Sequence, residues 1–424
     1  MNNIAYLDNN ATTLMPESVV QELVRWSNQG NPSAAYASAK RCQTMMEEFR
    51  GFIARSAGAP IGQYVIVFTS GATEANCMIC RAVIERARTT SATGGRTGAP
   101  FHVVTSAIEH KSILLLLEDM ARCIPEMNLT LVNPDASGHI RADDFVRALR
   151  PTTCLAICMN ANNETGAIND IADIGRVVKA FNPNIFFHSD IVQSFGKIPV
   201  RLDAAQVDGA SISFHKLHGP PGVGAAIIRK SRTKDWCPIL YGTQSSGMRG
   251  GTENVIGIGA AYAATQLTFS RMQQTIEHEL GLKKYLVARL ANSAPTMSFE
   301  EYIGAKTKME LQIVLIGDKT FLDPARYLPA TIMISATKLV GPSACNTLIK
   351  EKLEAARVIV SVGSACNTSS QEHSHVLRSM GLPTEVMDGA IRVSMCGYTT
   401  REEIDRFILG FLGEVKRQYT IRGK

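Results

Sequence analysis

Continuous apolar runs alternate with helix-length amphipathic segments through the first two thirds of the chain. Tyr64–Thr69 is a continuous apolar run, which is typical of a strand buried on both faces. Similar runs follow at 103–105, 154–159, 185–188 and 208–213. Because helix-length segments separate these runs, the pattern predicts an α/β fold with a mostly parallel sheet.

The pattern changes after about residue 265, where helices are interspersed with short apolar runs at 330–334 and 358–360. This change predicts a smaller C-terminal α+β unit. Its last helix is expected to begin at Thr400, because Thr400-Arg401-Glu402-Glu403 has the spacing of a capping box.

Polar residues that can take part in chemistry follow the predicted strands at their carboxyl ends. They are Thr73, His110, Asn163, Asp190, Gln193 and Lys216. The carboxyl ends of parallel strands meet at one edge of a sheet, where α/β proteins bind ligands. Each residue alone has an ordinary explanation, such as a helix start for His110 or a cap for Asp190. Together they predict a ligand site at this edge.

Lys216 lies in a turn between two apolar runs, and its neighbours predict an unusual lysine. His215 and His218 flank it, and Pro220 and Pro221 follow with three glycines. Positively charged neighbours and apolar surroundings both lower the pKa of an amine, as an imine-forming lysine requires. An ordinary loop lysine is the alternative interpretation of this stretch alone.

These residue types suit pyridoxal phosphate. That cofactor needs a lysine for covalent attachment, a carboxylate for its pyridine nitrogen, a phosphate cradle and a flat group against its ring. Lys216, Asp190 and His110 can fill three of these roles. The small-residue turn that includes Ala72 and Thr73 leads from a predicted strand into a helix, where free N–H groups bind anions.

Composition excludes several classes of protein. The chain has 424 residues, 45% hydrophobic and 19% charged, which is ordinary for a globular protein with a substantial core. The net charge of +6 is spread thinly, so nucleic acid is not an expected partner. No apolar run has the length of a membrane span and no leader sequence is evident, so we expect no membrane partner and a cytoplasmic location.

The ten cysteines are scattered, which favours reduced thiols over a disulfide framework. Cys77 and Cys80 form a lone C-x-x-C in a helix-like run. Core thiols are the favoured interpretation of this pair, with a metal or redox site as the alternative, and we predict no metal site.

The ordered motifs of the chain resemble those of the cysteine desulfurase and selenocysteine lyase group, in the class V aminotransferase superfamily of fold-type I pyridoxal-phosphate enzymes. They are LDNNATT at 7–13, GNPS at 30–33, FTSGATE at 68–74, EH at 109–110, NNETG at 162–166, HK at 215–216, RGGTEN at 249–254, SVGSAC at 361–366 and IRVS at 391–394. The resemblance implies a large domain over 14–265, with a mostly parallel sheet sandwiched by helices. It also implies a small domain from 1–13 and 266–424 that carries a mobile catalytic cysteine loop.

The resemblance also implies roles for the polar residues at the strand ends. Lys216 would hold pyridoxal phosphate covalently and move a proton. His110 would stack on the ring and assist acid–base steps, and Asp190 would pair with the pyridine nitrogen. Asn163 and Gln193 would contact the hydroxyl side of the ring.

The remaining site residues would bind the phosphate and the substrate. The phosphate would lie among small and polar residues of one subunit, namely Ala72, Thr73, Ser213 and His215. Thr252 of a partner subunit would join them, which implies a homodimer with composite sites. Arg392 would clamp the substrate carboxylate with its planar fork of donors, beside Asn163.

Cys366 is the nucleophile that the resemblance implies. Its thiolate would attack the sulfur of L-cysteine and become a persulfide, releasing L-alanine and serving a sulfur acceptor in iron–sulfur, cofactor or tRNA pathways. Residues 362–370 are small and turn-rich, which is typical of an exposed loop. Residues 343–347 repeat the five letters of 364–368 around Cys345, but they open an amphipathic helix, so Cys366 is favoured.

Some positions depart from the family pattern. Ser245 and Ser246 replace a Glu and an Arg in a predicted subunit contact, and Ile191 and Phe214 replace small residues beside expected cofactor contacts. Tyr36 replaces a His, as in selenocysteine lyases. Two other functions therefore stay open: a lyase that releases selenide from L-selenocysteine, and a scaffold protein without cofactor. An ordinary aminotransferase would leave the predicted nucleophile without a role.

Overall fold

The computed structural model describes residues 4–89, 99–304, 311–337, 344–362 and 373–422. The helices are α1 (Glu17–Trp26), α2 (Ala37–Ser56), α3 (Ala72–Thr89), α4 (Lys111–Cys123), α5 (Ala142–Ala148), α6 (Ile171–Phe181), α7 (Val255–Ser270), α8 (Met272–Ala291), α9 (Phe299–Gly304), α10 (Asn346–Ala355), α11 (His375–Ser379), α12 (Thr384–Asp388) and α13 (Arg401–Arg422). The strands are β1 (Ala5–Tyr6), β2 (Tyr64–Thr69), β3 (Phe101–Ser106), β4 (Met127–Val132), β5 (Thr153–Ile157), β6 (Phe186–Asp190), β7 (Gly209–Ser213), β8 (Gly224–Arg229), β9 (Thr296–Ser298), β10 (Gln312–Leu315), β11 (Thr331–Thr337), β12 (Val358–Ile359) and β13 (Ala390–Ser394).

The large sheet contains seven of the described strands, in the order β2-β8-β7-β6-β5-β3-β4. Strand β8 is antiparallel to β2 and β7, and the other neighbours are parallel. Side chains alternate between two cores: Val67 packs with residues of α3 and α4, whereas Ile66 and Phe68 pack with residues of α2, α6 and α7. Helices therefore cover both faces, and the predicted mostly parallel α/β sheet is confirmed.

The C-terminal part of the chain builds a second, smaller sheet of described strands in the order β13-β11-β10-β9. The predicted short strands correspond to β11 and β12, and β12 pairs with the N-terminal strand β1. Leu7, Leu286 and Phe407 share one core beside this sheet, so the N-terminal segment packs with the C-terminal helices. The domain boundaries given above stay a prediction.

The predicted capping box is present at the start of α13. The backbone N–H of Thr400 donates to Glu403 Oε2 at 2.8 Å, and the N–H of Glu403 donates to Thr400 Oγ1 at 3.3 Å. In the part of the chain that the structure describes, no helix combines the length and apolar character needed to cross a membrane.

Candidate active site

A cavity of about 420 Å³ opens where the parallel strands of the large sheet end. Its volume is within the range of small-molecule sites. Ten residues predicted from the sequence line it: Ala72, Thr73, His110, Asn163, Asp190, Gln193, Ser213, His215, Lys216 and Arg392. Thr252 is exposed and is not part of this wall, and Cys366 lies outside the described residues. The edge of the sheet therefore brings together side chains from five separate strand ends.

Lys216 ends a single 3-10 turn, 214–216, that directly follows β7. Its Nζ donates to the carbonyl oxygens of Asn10 and Ala11 at 2.6 and 2.5 Å. Burial, together with the positive charges of Lys197 and Arg392, lowers the pKa of this amine to about 7. A large fraction of the amine is therefore neutral and nucleophilic near neutral pH.

The low pKa of Lys216 agrees with the sequence-based expectation, and so does burial as its main cause, but the positive charge expected on the flanking histidines is wrong. Burial lowers the pKa of His215 itself to about 4 and also lowers the pKa of His218, so neither ring supplies a positive charge at neutral pH. The positive neighbours are instead Lys197 and Arg392. Lys197 lies outside the motif of the lysine turn, and Arg392 is distant from it in sequence. No local pattern therefore identifies these two residues as neighbours of Lys216.

Asp190 is the last residue of β6 and is 4% exposed. Its Oδ1 accepts the backbone N–H of Val192 at 2.9 Å, and its Oδ2 accepts from Asn76 Nδ2 at 2.9 Å. Asn76 is fully buried on α3, where its own Oδ1 accepts from Ser211 Oγ. The carboxylate is therefore fixed on the cavity wall by Asn76, a residue to which no role was assigned from the sequence. Its only signal was a polar residue on the sheet-facing side of α3.

The turn before α3 lies unusually close to the sheet. A Cβ on Gly224 of β8 would lie 2.6 Å from Gly71 Cα, so glycine is required there. Ala72 and Thr73 occupy the first turn of an 18-residue helix, whose N–H groups have no partner within the helix. Glu74 accepts the Ser70 N–H at 2.6 Å, which fixes the turn. The cradle suits a phosphate group.

His215 and Ser213 close the cradle from the lysine side. His215 Nδ1 lies 3.0 Å from Thr12 Oγ1, and the backbone oxygen of His215 accepts from Thr13 Oγ1 at 2.8 Å. The N-terminal segment thus holds the lysine turn in place. Since Thr12 engages Nδ1, Nε2 is the ring nitrogen left for a ligand.

His110 directly precedes α4 and lines the cavity with an exposed ring. Its Nδ1 accepts the backbone N–H of Ser112 at 3.2 Å, which fixes one edge of the ring. Desolvation by the surrounding protein lowers the imidazole pKa, so the neutral ring predominates at neutral pH. A neutral, oriented imidazole is suited both to stacking and to proton exchange.

Arg392 of β13 is 2% exposed and comes to the cavity from the smaller sheet. Its Nη2 pairs with Asp8 Oδ1 at 2.6 Å, and its Nη1 donates to the Asn163 carbonyl oxygen at 3.0 Å. Its Nε is buried and has no partner among the described residues. The guanidinium is held rigidly, and it retains a donor for an anionic group. Asp8 is a second residue whose role the sequence did not reveal.

Ile191 and Phe214, which replace small residues beside expected cofactor contacts, do not line the cavity. Both are fully buried in the core, and neither is on the cavity wall. The Phe214 ring packs 5.0 Å from the ring of Phe49. Tyr36 is also absent from the wall, because its hydroxyl accepts the N–H of Asn31 at 2.7 Å. These three departures therefore leave the described cavity unchanged.

Two other cysteine predictions concern residues that the structure describes. Cys345 directly precedes α10, as predicted for a helix-start residue. In the lone C-x-x-C, Cys80 is buried and Cys77 is half-buried, and burial raises the pKa of both thiols. Such thiols are poor nucleophiles, which favours the core interpretation.

The family model described as aminotransferase class-V matches residues 5–313. The chain belongs to the aminotransferase class-V family. A cysteine desulfurase IscS from Dictyoglomus turgidum is 34% identical over 410 residues, covering 96% of this chain and 93% of that protein. A cysteine desulfurase from a Nostoc species is 32% identical over 409 residues, covering 96% and 91%. Within the family, the chain therefore groups with the cysteine desulfurases.

Solved structures show the same fold. A NifS-like protein has a TM-score of 0.79 at 29% identity, covering 99% of this chain and all of its own length. The structure titled SspA in complex with cysteine has a TM-score of 0.70 at 28% identity, covering 93% of this chain and 99% of that one. Enzymes of this family depend on pyridoxal phosphate, so the chain is a pyridoxal-phosphate enzyme. Three features of the cavity fit pyridoxal phosphate: the low pKa of Lys216, the fixed carboxylate of Asp190, and the phosphate cradle that requires Gly224.

Proposed function

We propose that this protein converts L-cysteine to L-alanine and carries the released sulfur as a persulfide on Cys366. The observation that supports this most strongly is the convergence of Lys216, Asp190, His110 and Arg392 on one cavity. The cysteine desulfurase relatives, which match almost the whole chain, favour this reaction over other reactions of the family.

Each cavity residue has a proposed task that follows from its contacts. Lys216 would hold the cofactor, and its Nζ would accept and return a proton when it is free. Asp190 would balance positive charge on the pyridine nitrogen. The cradle of Ala72 and Thr73, with Ser213 and His215, would bind the phosphate. Bound in this way, pyridoxal phosphate supplies an electron sink for bonds at the substrate α-carbon.

The remaining side chains would orient the ring and the substrate. His110 would lie against the ring face, and Asn163 and Gln193 would contact its hydroxyl side. Arg392 would bind the substrate carboxylate, sharing its guanidinium with Asp8. A carboxylate held by Arg392 and an amino group near Lys216 would fix two of the three non-hydrogen substituents of the substrate α-carbon.

In the sulfur-transfer step, the Cys366 thiolate would attack the substrate sulfur. The S–S bond forms as the Cβ–S bond breaks, and the carbon keeps the electron pair and takes a proton to become the methyl group of L-alanine. The products are alanine and the Cys366 persulfide, with no external oxidant. A sulfur-acceptor protein for iron–sulfur or other sulfur-containing products would then receive the outer sulfur.

The assembly and location are part of the same proposal. Thr252 is exposed in the single chain, as a residue that completes a partner's phosphate site would be. The proposed assembly is therefore a homodimer with composite sites. The proposed location is the cytoplasm. The selenocysteine alternative gains no support at position 36, because Tyr36 is not part of the cavity wall.

The test is alanine and sulfide formation from L-cysteine by wild type, Cys366→Ala and Cys345→Ala, each with pyridoxal phosphate and reductant. Cys345 is the matched control, because it lies in the same five-letter motif. We expect Cys366→Ala to abolish sulfide release, whereas Cys345→Ala keeps it. Mass spectrometry before reduction should locate an additional sulfur on the peptide of Cys366. Full activity of Cys366→Ala would refute the persulfide step, and activity of all three proteins on L-selenocysteine alone would favour the lyase.

A further inference from the structure

A second lysine, Lys197, lies behind Lys216 and has no task in the proposed function. Its Nζ donates to Gln193 Oε1 at 2.8 Å and approaches Asn10 Oδ1 at 3.4 Å. Gln193 Nε2 donates to the Asn10 carbonyl oxygen at 3.1 Å, and Lys216 Nζ donates to that same oxygen at 2.6 Å. Lys197 therefore contacts the side chains of both Gln193 and Asn10, the two residues that lie between it and Lys216.

These contacts determine which way the Gln193 amide faces. An ammonium group has donors only, so the amide atom that faces Lys197 must be the oxygen. The NH₂ group of Gln193 is then fixed toward Asn10 and the cavity at the strand ends. The Asn10 carbonyl oxygen, which can only accept, favours the same orientation, and without Lys197 the Gln193 amide oxygen would lose its partner.

A cavity of about 30 Å³ lies on the far side of Lys216, and Lys197, Glu279 and Cys396 share its wall. This volume is about that of one water molecule. Glu279, from α8, is 5% exposed. Burial lowers the pKa of Lys197, and the Glu279 carboxylate counteracts this effect. Burial in turn raises the pKa of the Glu279 carboxyl to about 8, and the Lys197 charge counteracts that rise. Each of the two groups therefore favours the charged form of the other.

We propose that Lys197 is a positioning residue for Lys216 and Gln193, and that Glu279 keeps Lys197 charged. The inference deepens the proposed function and rests on it, because Lys216 and Gln193 are the residues that would hold the cofactor. Lys197 itself does not line the 420 Å³ cavity at the strand ends. It acts through hydrogen bonds and charge.

The sign of the electrostatic effect follows from the groups that face Lys216. The positive ones are Lys197 and Arg392, and the negative ones are Asp8 and Asp190. The imidazoles of His110 and His215 also face it. Removal of the Lys197 charge removes a repulsion, so the Lys216 ammonium becomes easier to form and its pKa rises.

The experiment measures this pKa directly in the full-length protein freed of cofactor. A small amine-reactive reagent is applied across neutral and alkaline pH, and labelling of the Lys216 peptide is quantified by mass spectrometry. Wild type should show a midpoint near pH 7. In Lys197→Met the midpoint should rise by about one pH unit, so labelling at pH 7 should fall roughly fivefold.

The matched control is Lys283→Met, which removes another buried lysine, 1% exposed on α8, that is not among the groups facing Lys216. Its midpoint should equal that of wild type. Glu279→Gln should shift the midpoint in the same direction as Lys197→Met, but less, because Lys197 then loses its proton more readily. Lys197→Arg keeps the charge and should stay near wild type, which also guards against misfolding of the methionine variant.

An unchanged midpoint in both Lys197→Met and Glu279→Gln, or an equal shift in Lys283→Met, would overturn the inference. Labelling of Lys216 requires no turnover. A failure of the Cys366 persulfide proposal would therefore leave this result intact, and the two failures are distinguishable.

Discussion

Two concave regions of the described chain differ in what lines them, and the larger of the two is not where the proposed chemistry lies. A cleft of about 930 Å³ lies between α5, α6 and residues 324–326, whereas the cavity at the strand ends is about 420 Å³. In the cleft, two charged side chains bind groups that are close to them in sequence. Arg326 pairs with Asp318 at 2.8 Å, and Asp170 caps α6. In the smaller cavity, groups from distant parts of the chain converge.

This difference shows that convergence, rather than volume, identifies the site. The cleft holds helix caps and local ion pairs of the kind found on most protein surfaces. The cavity holds a lysine whose pKa burial lowers to about 7 and an arginine with an unpartnered Nε. Groups perturbed in this way are typical of functional sites. Substitutions in the cavity should therefore lower the activity, whereas substitutions in the cleft should lower the stability at most and leave the activity unchanged.

The largest effect is expected from Lys216→Ala. Loss of the amine removes both cofactor attachment and proton exchange, so alanine formation from L-cysteine should fall by more than about 10³-fold. The control is Arg141→Ala, an exposed residue of the cleft, which should keep wild-type activity. Substantial activity in Lys216→Ala would contradict the assignment of the site.

The fold and the strand-end site were predictable because buried parallel strands are apolar throughout and end at one edge. The run that became β2 has the predicted bounds, and the six polar residues predicted at the strand ends lie on the cavity wall. The supporting contacts were not predictable, because they join distant segments. Lys216 meets Asn10 across 206 positions, and Arg392 meets Asp8 across 384.

The places of two departures from the family pattern were not predictable either. Ile191 follows Asp190 directly, yet one side chain packs in the core and the other lines the cavity. Consecutive side chains in extended backbone point to opposite sides. Proximity in sequence therefore did not indicate proximity to the ligand, and the same holds for Phe214 beside His215.

A smaller loss of activity is expected from Asp190→Asn. The amide keeps the size of the carboxylate but not its charge, so it no longer balances a positive pyridine nitrogen. Alanine formation should fall by about 10²-fold, as for removal of one charge-stabilising group. Unchanged activity in Asp190→Asn would show that the carboxylate only holds Asn76 and Val192 in place.

Arg392→Lys should mainly affect substrate binding. Lysine keeps the charge but loses the planar fork and the buried Nε donor. We expect KM for L-cysteine to rise by about tenfold, with a smaller change in kcat, measured by alanine formation at several substrate concentrations. A fall in kcat without any change in KM would contradict the proposed contact with the substrate carboxylate.

The smallest effect is expected in the cleft. Asp170→Ala removes the side chain that accepts from the N–H groups of Ala172 and Asp173 at 3.1 and 3.0 Å. The free energy of unfolding, measured by urea denaturation, should fall by about 1 kcal/mol. Alanine formation should not change, and a loss of activity without a loss of stability would move the site toward the cleft.

The most direct measurement of the central claim is the position of cofactor attachment. The holoenzyme is reduced with borohydride and digested, and the peptide that carries the pyridoxyl group is sequenced by mass spectrometry. The structure predicts a single adduct on Lys216, absent in Lys216→Ala. An adduct on Lys197 or on any lysine outside the cavity would contradict the account.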